Sequence, residues 1–387
     1  MARNPRGASV FAPAAAILVL GGLSLLASFQ FMAAKQPTPK AERAMPEMPV
    51  RVLAASVFPG AHHADPVPMP QDLDAGVCVQ NRKFGFHCMP SFICIGAQKS
   101  STRELHEWLS SHPQLQSPTE ELHFFDNVPE EKRLGLWYQY LRRPEFRLST
   151  AEVRKRILTF EKTPNYLPEG SRAAIPMAAM MPSVQLLVVL REPAARAFSA
   201  YHHHCRKGRL VATNPTDMVF AQPNRQSTLA HEIAEPMSIN ASVNGGGNAG
   251  LVCGNEGFLR YVSSTNATPS DFRELDSILG YGCYASQLRE WLAVFPRKQF
   301  LILFAENFVA DPHRTVTRVT DWLGIPEHKY DATRNRNGYW VIRDRSSKGN
   351  AAPYEPLWEE TRRLLDGYYA ESNRELRRMF PELSFPW

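Results

Sequence analysis

The run Val184-Gln185-Leu186-Leu187-Val188-Val189-Leu190 constrains the fold of this chain more than any other stretch. A run this apolar fits a strand buried on both faces, as in a parallel sheet. Shorter runs of the same character occupy residues 91–96, 157–160 and 300–304. Helical patterns lie between or after them, over residues 194–206, 286–294, 314–323 and 357–380. This alternation predicts an α/β fold, a central parallel sheet flanked by helices on both faces. With 387 residues, 44% of them hydrophobic and 21% charged, the chain can bury its own core and is neither disordered nor collagen-like. The excess of 44 Lys+Arg over 38 Asp+Glu leaves a net charge of +6, which permits an anionic ligand without demanding one.

The ends of the chain differ from this pattern. Residues 7 to 34 carry no charged side chain, with Arg3 and Arg6 before them and Lys35 after. A membrane-spanning helix needs ~20 apolar residues, so the stretch is long enough to cross a bilayer. The expected organisation is a cytoplasmic tail at 1–8, a transmembrane signal anchor at 9–34 and a Pro-rich stalk at 35–85. A catalytic domain then fills 86–387, placed in the lumen by the positive N-terminal tail. A cleaved signal ending near Ala33 and Ala34 is the alternative. Residues 222–279 hold Asn244-Gly245-Gly246-Gly247-Asn248 and few apolar runs, and read as a surface insertion. Asn240 and Asn266 head glycosylation triplets, in keeping with a lumenal site.

Six cysteines are too few for a disulfide-built scaffold. Cys78 and Cys88 flank a short loop and are expected to pair. Cys205 is expected to pair with Cys253 or Cys283, and Cys94 to be a free thiol in a buried strand. No Cys-x-x-Cys pattern argues for zinc or redox chemistry, and no metal is expected.

Two segments can grip phosphates. Ile95-Gly96-Ala97-Gln98-Lys99-Ser100-Ser101-Thr102 joins a strand to a helix, where backbone N–H groups and the positive helix end face an anion. Lys99 adds a full charge, and Ser100, Ser101 and Thr102 add hydroxyl donors. Arg191 closes the longest apolar run, at the strand edge where open α/β sheets bind ligands. Its planar fork matches a phosphate bidentately unless Glu192 or another carboxylate claims it. Pro193 suits the first turn of the following helix, and Ser199 lies about two turns into it.

Together these segments resemble the sulfotransferase family, whose donor is 3′-phosphoadenosine 5′-phosphosulfate (PAPS) and whose product is 3′-phosphoadenosine 5′-phosphate (PAP). The resemblance runs from about residue 90 to the C-terminus and leaves the insertion unmatched. It implies that Lys99, Ser100, Ser101 and Thr102 hold the 5′-phosphosulfate, and Arg191 and Ser199 the 3′-phosphate. The family usually has Gly where Ser101 stands, a substitution that weakens donor binding if the position requires a positive φ.

Glu120-Glu121-Leu122-His123-Phe124-Phe125-Asp126 resembles a segment of Golgi glycosaminoglycan sulfotransferases, among them the heparan sulfate 3-O-sulfotransferases and the enzyme that 6-sulfates N-acetylgalactosamine 4-sulfate. Glu161-Lys162-Thr163-Pro164-Asn165-Tyr166 is similar to a second family segment. Ser347-Lys348-Gly349 resembles the late loop that closes over the donor. The resemblance implies a membrane-anchored Golgi enzyme that moves sulfate to a carbohydrate hydroxyl, the acceptor being an anionic polysaccharide. Glu121 is then the general base, Lys99 and Lys162 offset developing negative charge, and His123 and Asp126 position base or acceptor. A small-molecule or tyrosine acceptor, or a non-catalytic glycan-binding protein on the same fold, stays open. A kinase would need a Mg²⁺-binding carboxylate and a Walker glycine pair, and neither is evident. Nucleic acid is not an expected partner.

Overall fold

The computed structural model describes residues 52–53, 73–81, 85–207, 210–214, 217–220, 253–264, 278–336, 338–343 and 355–387. In chain order, the elements that build and frame the site start with β1 (Cys78–Asn81), β2 (Gly85–Cys88), β3 (Phe92–Gly96) and α1 (Thr102–Leu109). Next come β4 (Leu115–Gln116), α2 (Phe124–Asn127), β5 (Leu158–Lys162), α3 (Tyr166–Glu169), β6 (Gln185–Leu190) and α4 (Pro193–Arg206). The last are α5 (Asn255–Ser264), α6 (Tyr284–Leu292), β7 (Phe300–Phe304), α7 (Pro312–Leu323) and α8 (Glu359–Met379).

Five strands form the central sheet in the order β7-β6-β3-β5-β4, and every neighbouring pair is parallel. All six residues of β6 are buried, as the apolar run requires. Period-two alternation divides their side chains between two layers. Leu186, Val188 and Leu190 join Ile93, Ile95 and Ile302 against α3, α6 and the end of α8. Leu187 and Val189 join Phe92, Cys94 and Phe160 against α1 and α7. Each buried side chain of this kind contributes about 1.5–3 kcal/mol. A third cluster packs α4 against α5 and α8, with Phe198, Tyr201, Phe258, Tyr261 and Leu365 inside it.

Parallel pairing sends every strand's carboxyl end to one edge, so Gly96, Lys162 and Leu190 finish side by side there. The loops that follow them carry Lys99 and Arg191, while Glu161 and Lys162 are buried at the end of β5 itself.

Two expectations change and a third is settled between its alternatives. The stalk does not extend to residue 85: Leu73, Val77 and Val79 are buried, and β1 pairs antiparallel with β2. The Cys78–Cys88 disulfide closes this hairpin, and Phe86 packs it on Leu148 of the domain. The insertion at 222–279 is not all surface, because Phe258 and Tyr261 of α5 and the pair Ile278 and Leu279 are core residues. Cys283 is not bridged: Cys205 pairs with Cys253, while Cys283 and Cys94 are buried free thiols. Burial pushes the Cys283 thiol up to about 12, against weaker pulls from Arg196 and a hydrogen bond with Tyr368. The expected tail at 1–8, anchor at 9–34, both glycosylation sites and Ser347, Lys348 and Gly349 lie outside the described residues. No helix among the described residues is long and apolar enough to cross a membrane.

Candidate active site

β3 must end in glycine. A Cβ at Gly96 would stand 2.5 Å from Cβ of Leu167, so only glycine lets α3 pack under the turn. The chain then takes left-handed backbone at Lys99 (φ 68°) and Ser101 (φ 59°), with Ser100 between them outside that region. Alternation of this kind turns successive N–H groups toward one point and forms an anion-binding concavity. Ser101 caps α1 by position only, since its side chain makes no capping hydrogen bond. The Gln98 side chain donates to Asn165 at 3.3 Å and ties the turn to α3.

Arg191 meets this turn from the neighbouring strand. Its Nη1 donates to the Lys99 carbonyl at 3.2 Å. The Tyr284 hydroxyl, from α6, donates to the Arg191 carbonyl at 3.0 Å. Glu192 does not claim the guanidinium. Its carboxylate caps α4 by accepting from the amides of Ala194 and Ala195, at 3.0 and 2.7 Å, and pairs with Arg362 at 3.3 Å. Among the described residues no carboxylate forms an ion pair with Lys99 or Arg191. Spacings of three and seven residues put Arg196, Ser199 and Arg206 on one side of α4. Arg196 and Ser199 are buried, and Arg196 donates to the Ile278 carbonyl. Burial, then the positive charge of Arg206, holds the Lys99 ammonium below its ordinary range; Glu104 opposes them, and Arg191 and Arg196 add smaller effects. Cations whose charges reach one another in this way form a site for a multiply charged anion.

A second cluster stands at the end of β5. Lys162 lies beside Cys94 in the sheet register, two residues before the glycine that opens the Lys99 turn. Its Nζ is 2.6 Å from Glu121 Oε1, and the other carboxylate oxygen is 3.5 Å from His123 Nε2. His123 Nδ1 is 2.7 Å from Asp126 Oδ2. The chain runs Lys162–Glu121–His123–Asp126, with alternating charge. Hydrogen bonds to Asp126 and Glu121 raise the His123 imidazole to about 10 against the pull of burial. Burial favours the neutral form of Glu121, but bonding to His123 and Lys162 outweighs it and brings the carboxyl to about 2. The Lys162 side chain is 6% exposed and that of Glu121 36%, so an outside molecule reaches the carboxylate end of the pair first.

The turn carrying Glu121 is fastened from below. The Leu122 amide donates to Thr163 Oγ1 at 3.1 Å, and the Phe124 amide to the Tyr166 hydroxyl at 3.0 Å. Between them His123 is left-handed (φ 50°). Sequence reasoning picked out Glu121, His123, Asp126 and Lys162 and put them near one another. It missed the supports: Tyr284 under Arg191, Glu192 as a cap, and Arg196 and Arg206 as companions of Lys99. Only Glu192 had a local cue, a carboxylate directly before a proline that starts a helix.

The Sulfotransferase domain family matches residues 89–337. The human bifunctional heparan sulfate N-deacetylase/N-sulfotransferase 3 is 25% identical over 315 residues, which cover 77% of this chain and 30% of that protein. The mouse heparan sulfate glucosamine 3-O-sulfotransferase 3B1 is 27% identical over 305 residues, 75% of this chain and 63% of that protein. The chain thus spans less than two thirds of either relative. A sulfotransferase from Alicyclobacillus acidocaldarius, solved as a crystal structure, aligns with a TM-score of 0.45 at 22% identity, over 76% of this chain and 96% of that one. The family match takes in the Lys99 turn, the Arg191 edge and the Glu121 cluster together, and the chain belongs to the sulfotransferase family.

Proposed function

We propose that this chain transfers a sulfuryl group from PAPS to a carbohydrate hydroxyl. The observation that carries the reading is the placement of two sites on neighbouring strand ends: a cationic turn at Lys99 and Arg191, and a carboxylate–lysine pair at Glu121 and Lys162. The donor supplies an electrophilic sulfuryl group on a phosphate leaving group. The unneutralised Lys99 and Arg191 and the buried hydroxyls of Ser100 and Thr102 fit its two anionic ends. Ser199 lies on α4, the helix that follows Arg191, in keeping with a role at the 3′-phosphate.

Glu121 takes the proton of the acceptor hydroxyl as the new S–O bond forms. Its low proton affinity depends on its two partners, so any movement of Lys162 toward an anionic group makes Glu121 a stronger base. Lys99 and Lys162 stabilise the charge that builds on the transferring and leaving oxygens. Asp126 holds His123 protonated and oriented, and His123 holds Glu121. Exposure of Glu121 beside the buried Lys162 leaves room for a bulky acceptor.

Heparan sulfate is named for both relatives, which supports an anionic, glycosaminoglycan-like acceptor here. The same reading takes residues 1–8 as a cytoplasmic tail and 9–34 as a Golgi signal anchor, with Ser347, Lys348 and Gly349 closing over the donor. A radiolabelled-sulfate transfer assay against a glycan panel tests it. Glu121→Gln should abolish transfer while PAP binding stays within about twofold. Unchanged turnover in that variant refutes the base assignment.

A further inference from the structure

Resting on Glu121 as the base, we propose that Glu161 is a positioning residue: a buried carboxylate that acts through Thr163 and Tyr166 to hold the turn at His123, and so sets Glu121 against Lys162.

Glu161 is fully buried. Side chains alternate along β5, so it points away from Lys162 and lies on the side of Thr163. Its Oε1 accepts from the Tyr140 hydroxyl at 2.9 Å and its Oε2 from Thr163 Oγ1 at 3.4 Å. The Tyr166 hydroxyl lines the same carboxylate. Thr163 and Tyr166 are the two hydroxyls that accept the amides of Leu122 and Phe124, the residues on either side of His123. These amides stand at the start of α2, where a helix offers them no carbonyl.

Direction matters in such a chain. A hydroxyl that must accept from an amide is best placed when its own proton has a fixed acceptor. An ionised carboxylate only accepts, so Glu161 turns both hydroxyl protons toward itself and both oxygen lone pairs toward the amides. Successive bonds of one sense reinforce each other. The arrangement clamps the backbone on both sides of a left-handed residue, a conformation that needs outside support. Held this way, His123 reaches Glu121 with one ring nitrogen and Asp126 with the other.

Burying a carboxylate among hydroxyls is costly, and burial raises Glu161 to about 7 despite its hydrogen bonds, with Asp126 adding to the rise, so the acceptor-only clamp is complete above about pH 7 and loosens as pH falls through it. An apolar residue at this position would relieve that cost and leave the two hydroxyls undirected.

The test compares the full chain with Glu161→Gln, Thr163→Val and Tyr140→Phe. Glutamine keeps an acceptor for Tyr140 but presents an N–H₂ where Thr163 needs an acceptor. Valine removes the Leu122 acceptor and leaves Glu161 in place. The readouts are the His123 ring-nitrogen titration by ¹⁵N NMR on histidine-labelled protein, PAP affinity, and kcat. For Glu161→Gln and Thr163→Val we expect His123 to titrate at least one unit lower, toward its ordinary value near ~6.5. PAP affinity should hold within about twofold, and kcat should fall roughly 10- to 100-fold with little change in KM, as for a displaced catalytic group. Tyr140→Phe should give a smaller change of the same sign. Variants that bind PAP normally and keep the wild-type His123 titration overturn the proposal. If Glu161→Gln does not fold, the Thr163→Val titration decides. Because the titration needs no turnover, it reads the clamp even if no acceptor is sulfated, and that result would count against the base assignment alone.

Discussion

Replacing Arg191 with alanine separates the brace that the structure shows from the phosphate contact that the proposed function adds to the same side chain. Nη1 braces the donor turn through the Lys99 carbonyl at 3.2 Å. Among the described residues the rest of the guanidinium forms no ion pair and, in the proposed function, takes the 3′-phosphate. Loss of the brace costs about 1 kcal/mol, roughly fivefold in affinity, for every nucleotide that uses the turn. Loss of a charge-assisted contact to the 3′-phosphate costs a further ~1.5–3 kcal/mol, about 10- to 150-fold, for ligands that carry that group. Calorimetric titration of the wild type and Arg191→Ala with PAP and with 5′-AMP should therefore show about a fivefold loss for 5′-AMP. The loss for PAP should be roughly 50- to 800-fold. Arg191→Lys should retain part of the charge without the fork and fall between them. Equal losses for both nucleotides would refute the assignment, because the brace alone would then account for the variant. The same substitution removes one of the cations that depress Lys99, so Lys99 should titrate higher in Arg191→Ala.

Further predictions concern the two turns. Ser101 sits at φ 59° without a capping bond, so Ser101→Gly removes about 1–2 kcal/mol of left-handed strain against ~0.5–1 kcal/mol of added chain entropy. Calorimetry should show a melting temperature unchanged or raised by a few degrees, with PAP affinity no weaker; a clear drop would contradict the left-handed geometry. His123 is raised to about 10 in the fold, so the stability it contributes is complete below about pH 6.5 and disappears as pH rises through about 10. His123→Gln should flatten the decline in melting temperature across that alkaline range, and an unaltered slope would show that the histidine is not held as a cation.

The layered sheet was legible because burial on both faces writes itself into sequence: Val184 to Leu190 has few other fates. Phe300–Phe304 was read to the residue, and α4 and α7 differ from the expected helices by one or two residues at their starts. Glu121 and Lys162 were legible through family resemblance rather than spacing, since 41 residues separate them and the parallel pairing of β4, which leads into Glu121, with β5, which ends at Lys162, brings the segments together. What was not legible depends on long-range packing. Nothing local distinguishes Cys253 from Cys283 as the partner of Cys205; the choice follows from α5 docking on α4. Val77 and Val79 read as the end of a Pro-rich stretch, because a four-residue strand is too short to show its pairing. Nor did Glu161 stand out, since an acid inside a strand has meaning only when the hydroxyls around it are known.

The Cys205–Cys253 bond spans 48 positions and fastens the far end of α4, the helix that presents Arg196, Ser199 and Arg206. Stretches closed by such a staple can be lengthened cheaply, at about 0.6 kcal/mol per doubling. Grafts between the two cysteines are therefore the natural place for evolution or engineering to append new contacts without disturbing nucleotide capture. Recombinant production in a reducing cytosol would leave that helix end untethered, so secretion is the sounder route to active material.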